Sequence, residues 1–167
     1  FVEYSRKVGV IEGLETSIIE ALQVLGKDKV NTLINKCNFK CRTCEPIFSS
    51  TIAKESKVHN LSQFYGYDLD KNYIEHTPAI TSDIINYLPT VKKLMFTGGE
   101  PTIIDEFYTI LDKCIDIGKH KDISLLITTN ASKITDQFIK KINQFENVHI
   151  TLSIDAVGKP AEYIRSG

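Results

Sequence analysis

The chain has 167 residues, of which 42% are apolar, and this is enough for one domain with a buried core. Its net charge of −1 at pH 7 gives no support for electrostatic docking on nucleic acid or on an anionic membrane. Residues 1–9 lack the apolar segment of a secretory signal, and no apolar run approaches the roughly 20 residues of a membrane-spanning helix. The sequence predicts a cytoplasmic protein without a membrane partner and indicates no nucleic-acid partner.

Residues 1–28 are predicted to form a helical lead-in to the main domain. Apolar residues recur at helical spacing from Val10 to Leu25, and Gly26 follows in the position of a C-terminal cap. The chain begins with Phe1 rather than Met, so we expect it to start inside a longer reading frame.

Four short apolar segments are predicted to be strands: residues 29–35, 91–97, 123–129 and 148–154. The second, third and fourth start roughly 25–30 residues apart, a spacing typical of βαβ units. Strands that are apolar almost throughout are typical of a parallel sheet covered by helices. The sequence therefore predicts an α/β fold.

Three helices are predicted between and after these strands. One begins at Thr77-Pro78 and ends at Pro89, the next is capped by Asp105 and closed by Gly118, and the last is capped by Thr135. Residues 45–75 are polar without clear periodicity, which indicates a functional segment or a short helix. The side chains expected to face the core are Ile80, Ile84, Leu88, Phe107, Ile110, Leu111, Cys114, Phe138, Ile139 and Ile142.

Polar residues follow each predicted strand at the point where it ends. They are Cys37, Gly98–Glu100, Asn130 and Ser153–Asp155. In parallel α/β folds ligands bind at the carboxyl ends of the strands, so these residues are expected to share one site.

The densest motif is Cys37-x3-Cys41-x2-Cys44. Crowded cysteines without a secretory signal indicate metal ligands rather than disulfides. Three thiolates on one loop can hold three irons of a 4Fe–4S cluster and leave the fourth iron open. The alternatives are a structural zinc site and unrelated free thiols. Zinc prefers four ligands, and the candidates for a fourth are distant: His59, His76 and Cys114. Cys114 fits a core position and is assigned no role.

The second motif is Gly98-Gly99-Glu100-Pro101. Two glycines let the backbone approach a ligand closely, and Glu100 supplies a carboxylate. An ordinary strand-to-helix turn is the alternative explanation for this segment alone.

The two motifs together resemble the radical SAM superfamily, whose members bind a 4Fe–4S cluster and S-adenosylmethionine (SAM). The resemblance covers residues 30–165. Within the superfamily, the sequence is most similar to twitch-domain proteins related to the SPASM peptide maturases. It implies a partial TIM-like barrel in which four of six strand–helix units are present. Residues 29–167 would then be a radical SAM core truncated after strand four, and poorly stable alone.

The resemblance also implies a chemistry: one electron from the cluster cleaves SAM to a 5′-deoxyadenosyl radical, which abstracts hydrogen from the substrate. An electron donor such as flavodoxin or ferredoxin is expected, and a peptide is one candidate substrate. Two alternatives remain open: a non-catalytic iron–sulfur or zinc module, and a small-molecule radical SAM enzyme.

Site residues follow from the resemblance. The Gly98–Glu100 segment is expected to bind the SAM amino group, and Ser153 the ribose. Asp155 is expected at the ribose, the substrate or a turn, and Asn130 near SAM or in a plain turn. Arg165 is expected near the SAM carboxylate, with a surface position as the alternative. One departure is Thr43, where many relatives carry an aromatic residue against the adenine.

Overall fold

A computed structural model of the chain describes residues 29–65 and 78–166. The predicted lead-in helix from Val10 to Leu25, its Gly26 cap and the helix-start residue Thr77 lie outside these residues. So do residues 66–75 of the polar stretch.

Four parallel strands form the central sheet in the order β1-β3-β4-β5. They are β1 (Lys29–Ile34), β3 (Lys93–Gly98), β4 (Ser124–Thr129) and β5 (Asn147–Leu152). Strand β1 pairs with β3 up to Ile34 opposite Gly98, and β4 pairs with β5 up to Thr129 opposite Leu152. Each predicted strand is present with boundaries within two residues, and the α/β class is confirmed.

A second, two-stranded antiparallel sheet was not predicted. Strand β2 (Lys40–Cys41) pairs with β6 (Arg165–Ser166), with Cys41 opposite Arg165. It attaches the cysteine motif to the last described segment of the chain.

Six α-helices lie within the described residues. They are α1 (Ser50–Val58), α2 (Ser62–Tyr65), α3 (Pro78–Tyr87), α4 (Asp105–Asp116), α5 (Asp136–Ile142) and α6 (Lys159–Ile164). The polar stretch thus contains helices as far as Tyr65, and the buried hydroxyl of Ser49 caps α1 by accepting from the Ile52 amide at 3.4 Å.

The helix ends are mostly as the sequence predicts. Thr135 caps α5 by accepting from the Phe138 amide at 3.2 Å. Gly118 follows α4 in the left-handed conformation, with φ 74°, which glycine adopts without steric cost. The prediction that Asp105 is an N-cap is wrong by one residue, because Ile104 holds the extended cap position and Asp105 starts the helix.

The core lies between the helices α3, α4 and α5 and the sheet. Phe107 is fully buried, and its ring meets Phe96 edge-on at 4.7 Å and stacks on Phe138 at 6.2 Å between centroids. Cys114 is buried in the same cluster, as predicted. Ile139 was predicted to face inward but is 42% exposed, because Phe138 and Ile142 already present the inner face of the short α5 and the next position turns away.

Strand β5 and the residues just after it have apolar side chains that are exposed within the described part of the chain. Ile150, Leu152 and Ile154 are 37%, 52% and 63% exposed. Among the described residues, no helix has the length and apolar character needed to cross a membrane.

Candidate functional site

The predicted site residues lie together at the carboxyl edge of the sheet. The Glu100 amide, after β3, donates to the Lys36 carbonyl, after β1, at 2.9 Å. The Ser153 amide, after β5, donates to the Thr129 carbonyl at the end of β4 at 2.8 Å. Backbone hydrogen bonds therefore join the loops in pairs, as expected for parallel strands that end at one edge.

The cysteine motif forms a tight loop between β1 and α1. The Cys44 amide donates to the Cys41 carbonyl at 3.0 Å, and the Thr51 hydroxyl of α1 donates to the Cys37 carbonyl at 3.1 Å. All three thiols are free and half-buried.

Burial raises the pKa of each of these thiols, because a thiolate loses hydration in the loop. The pKa of Cys44 rises to about 11, with the neighbouring Cys37 and Cys41 adding to the effect. At Cys41 the positive charge of Arg165 opposes the effect of burial. A metal centre bound through these sulfurs would therefore displace their protons.

Nitrogen donors surround two of the sulfurs. The Phe39 amide donates to Cys37 Sγ at 3.4 Å, and Asn130 Nδ2 lies 4.0 Å from the same sulfur. Arg165 Nη1 donates to Cys41 Sγ at 3.7 Å. Such donors stabilise anionic sulfur, so the residues present fit a thiolate-ligated cluster.

In residues 29–65 and 78–166, no group of three His, Cys, Asp or Glu side chains converges on a point that could hold one ion. In a 4Fe–4S cluster each thiolate binds a different iron, so the ligands of a cluster need not converge on one point.

Glu100 is fully buried at 0% exposure and accepts four hydrogen bonds. Its Oε1 accepts from the Thr102 amide at 3.1 Å, the Thr102 hydroxyl at 2.7 Å and the Thr129 hydroxyl at 2.6 Å. Its Oε2 accepts from the Asn130 amide at 2.6 Å. The carboxylate thus ties the loop after β3 to the loop after β4, and a direct contact with SAM would require it to become accessible.

Asn130 connects β4 to the cysteine loop. Its Nδ2 donates to Asn38 Oδ1 at 3.1 Å, and its Oδ1 accepts from the Ser132 amide at 2.9 Å. Asn38 Nδ2 donates in turn to Ser132 Oγ at 2.9 Å, which closes a ring of hydrogen bonds. Sequence reasoning missed Asn38 and Ser132, which lie 94 residues apart.

The residues after β5 differ from the predicted arrangement. Strand β5 ends at Leu152, two residues before its predicted end, so Ser153 and Asp155 both lie beyond it. Ser153 is half-buried at the carboxyl edge, while Asp155 Oδ2 lies 2.7 Å from Arg165 Nε. The Nε–H does not point at the carboxylate, so this contact is an ion pair without a hydrogen bond.

Gly98 ends β3 with φ 113°, a conformation that favours glycine. Gly99 follows it, half-buried, before Glu100. Glu100, the next residue, is buried.

A contact between Arg42 and Tyr163 was not predicted. The Arg42 guanidinium lies 4.1 Å from the centre of the Tyr163 ring, and its Nε donates to the Tyr163 carbonyl at 3.0 Å. These residues are 121 positions apart, so no local pattern indicates their pairing.

The chain matches the family model described as "Radical SAM superfamily" over residues 31–164. It is 30% identical over 110 residues to an uncharacterized protein of Methanocaldococcus jannaschii, covering 64% of this chain and 38% of that one. It is 29% identical over 127 residues to GTP 3′,8-cyclase of Campylobacter lari, covering 75% and 34% respectively.

The fold is similar to that of Streptococcus suis SuiB, with a TM-score of 0.53 at 18% identity, covering 89% of this chain and 30% of SuiB. SuiB bound to its precursor peptide SuiA gives a TM-score of 0.51 at 17% identity, with the same coverage of each chain. The chain spans about a third of the length of these relatives.

The fold is thus the partial TIM-like barrel that the sequence predicts. The family match covers most of the chain and includes all three motif cysteines. The chain therefore belongs to the radical SAM superfamily, whose members are enzymes that use an iron–sulfur cluster and SAM.

Proposed function

We propose that Cys37, Cys41 and Cys44 bind one 4Fe–4S cluster and that the carboxyl edge of the sheet holds SAM against its open iron. The observation that carries this proposal is the set of nitrogen donors aimed at Cys37 and Cys41. When bound, the cluster would supply the electron that cleaves SAM and starts hydrogen abstraction from the substrate. A reducing cytoplasm, with flavodoxin or ferredoxin as electron donor, suits three free thiols.

The protein's own residues would position these groups. Gly98 and Gly99 let the backbone approach the SAM amino group, and Glu100 orders the loops beside it. Ser153 is proposed at the ribose and Arg165 on the carboxylate side of SAM. Asp155 is proposed to hold Arg165 in place, because the two form an ion pair.

The substrate is proposed to be a peptide, modified with the help of a C-terminal twitch or SPASM region. Two observations support this: the sequence resembles the twitch and SPASM proteins, and the fold is similar to that of SuiB, a structure of which contains a precursor peptide. A nucleotide is the second candidate, favoured by the 29% identity to a GTP 3′,8-cyclase.

Cluster binding is tested by anaerobic reconstitution with iron and sulfide. We expect about four irons and four sulfides per chain, with an EPR signal after reduction, and loss of both when any motif cysteine is replaced by serine. Cys114→Ala is the matched control and should keep the cluster. Tight stoichiometric zinc without a cluster would contradict the proposal.

Catalysis is tested by adding SAM and dithionite to the reconstituted protein and measuring 5′-deoxyadenosine by mass spectrometry. Its formation separates an enzyme from a non-catalytic iron–sulfur module. Conversion of added GTP would identify the nucleotide candidate and overturn the peptide proposal.

A further inference from the structure

The segment that ends at Ser166 holds the cysteine loop at several points. Strand β6 pairs with β2, the Arg42 amide donates to the Ile164 carbonyl at 2.9 Å, and the Arg42 side chain packs on Tyr163. These contacts flank Cys41 on both sides. They fix the backbone of Arg165 directly opposite Cys41.

The side chain of Arg165 has two partners, Asp155 and Cys41. It is 19% exposed, and Asp155 Oδ2 lies 2.7 Å from its Nε. Its Nη1 donates to Cys41 Sγ at 3.7 Å, within the range for a hydrogen bond to sulfur. Arg165 therefore contacts a cluster ligand, whereas Lys40, in the same loop, pairs with Glu55 at 3.5 Å and has a 49% exposed side chain.

We propose that Arg165 donates a hydrogen bond to the ligating sulfur of Cys41 and thereby raises the reduction potential of the cluster. This inference rests on the proposed function. Reduction adds one electron from the donor and makes the cluster one unit more negative, with no bond formed or broken. An N–H donor and a positive charge at a ligating sulfur stabilise that more negative form.

The role differs from a contact with SAM, because it acts when SAM is absent. The test is an EPR-monitored redox titration of the reconstituted protein without SAM. For Arg165→Gln we expect the ratio of reduced to oxidised cluster at a fixed potential to fall roughly tenfold, which is ~59 mV for a one-electron couple. Lys40→Gln removes the same charge from a side chain of the same loop that pairs with Glu55, and the ratio of reduced to oxidised cluster should change much less.

Two results would overturn the inference. One is an equal shift of the reduction potential in Arg165→Gln and Lys40→Gln, because the shift would then come from the loss of any nearby positive charge. The other is an unchanged potential in Arg165→Gln. If that variant does not load iron and sulfide, Arg165→Lys takes its place, and its potential should fall because the guanidinium fork is lost. A wild-type chain without any cluster would instead refute the proposed function.

Discussion

At the scale of single residues, Glu100 is the main structural link of the site. It is buried and satisfies four donors from two loops. The sequence predicts a carboxylate at this position, but its burial depends on Thr129 and Asn130, which lie 29 and 30 residues further along. The predicted contact with the SAM amino group remains a proposal, and the structure adds an ordering role that can be tested separately.

Glu100→Ala should destabilise the protein even when SAM is absent. The substitution leaves buried donors unsatisfied, which typically costs about 1–3 kcal/mol for each group. Because the neighbouring groups relax, we expect the free energy of unfolding to fall by about 3 kcal/mol in total. The measurement is denaturant unfolding of the apoprotein, with the exposed Glu146→Ala as control. A normal unfolding midpoint combined with a ten- to hundredfold loss of SAM affinity would show that Glu100 acts as a direct ligand instead.

Cys44 should be the least reactive motif cysteine in the apoprotein at neutral pH. Its pKa of about 11 lies two units above the ordinary 9.0, so its thiolate fraction below pH 9 falls roughly a hundredfold. Alkylation by iodoacetamide, followed by mass spectrometry, should therefore rise with pH up to about 11. In the chain unfolded by guanidinium, the midpoint of the pH profile of alkylation should fall to about pH 9. An unchanged midpoint would contradict the effect of burial.

The same shift has a consequence for stability. The folded state retains the Cys44 proton to higher pH than the unfolded state does, so the unfolded chain binds fewer protons between about pH 9 and 11. The stabilisation of the folded state that this thiol contributes is therefore complete below pH 9, and it is lost as the pH rises towards 11. Unfolding of the apoprotein at pH 8 and pH 10.5, for wild type and Cys44→Ser, measures it.

At the scale of elements, the contact between the cysteine loop and the last segment should depend on Arg42. Arg42→Ala removes a cation–π contact and a side-chain hydrogen bond to the Tyr163 carbonyl, together worth about 1 kcal/mol. Amide exchange in β2 and β6 should then become about fivefold faster. Lys54→Ala, on the exposed side of α1, should leave it unchanged. Equal rates of amide exchange in Arg42→Ala and Lys54→Ala would mean that the pairing of β2 with β6 alone holds the cysteine loop.

Elements with regular periodicity could be predicted from the sequence, and those made by distant contacts could not. Strands β3 and β4 and helix α4 carry their burial pattern in consecutive residues. Helix α1 buries only Ala53 and Ser56, so its inner face has almost no apolar signal. Pairing of Cys41 with Arg165 spans 124 residues, and nothing near either residue specifies it. The shared site at the sheet edge was predictable because parallel strands place their ends together.

At the scale of the molecule, the exposed edge strand β5 should govern self-association of the 167-residue chain. Ile150 and Leu152 are exposed on a strand that pairs on one side only within the described residues, and such an edge can add another strand. Sedimentation velocity should show association that increases with concentration. Leu152→Lys should reduce it, whereas Gln144→Lys, which adds the same charge elsewhere, should not. A monodisperse wild-type chain would contradict this prediction.

The pairing of β2 with β6 also sets an order of events during protein synthesis. The ribosome releases Cys37, Cys41 and Cys44 long before Arg165, which is 124 residues beyond Cys41. Until that residue emerges, the cysteine loop has no partner strand, and closing so long a loop carries an entropic cost that local contacts do not. A nascent chain halted before residue 163 would present all three thiols without the segment that holds them. The proposed cluster would therefore be assembled on the finished site only after this region has been translated.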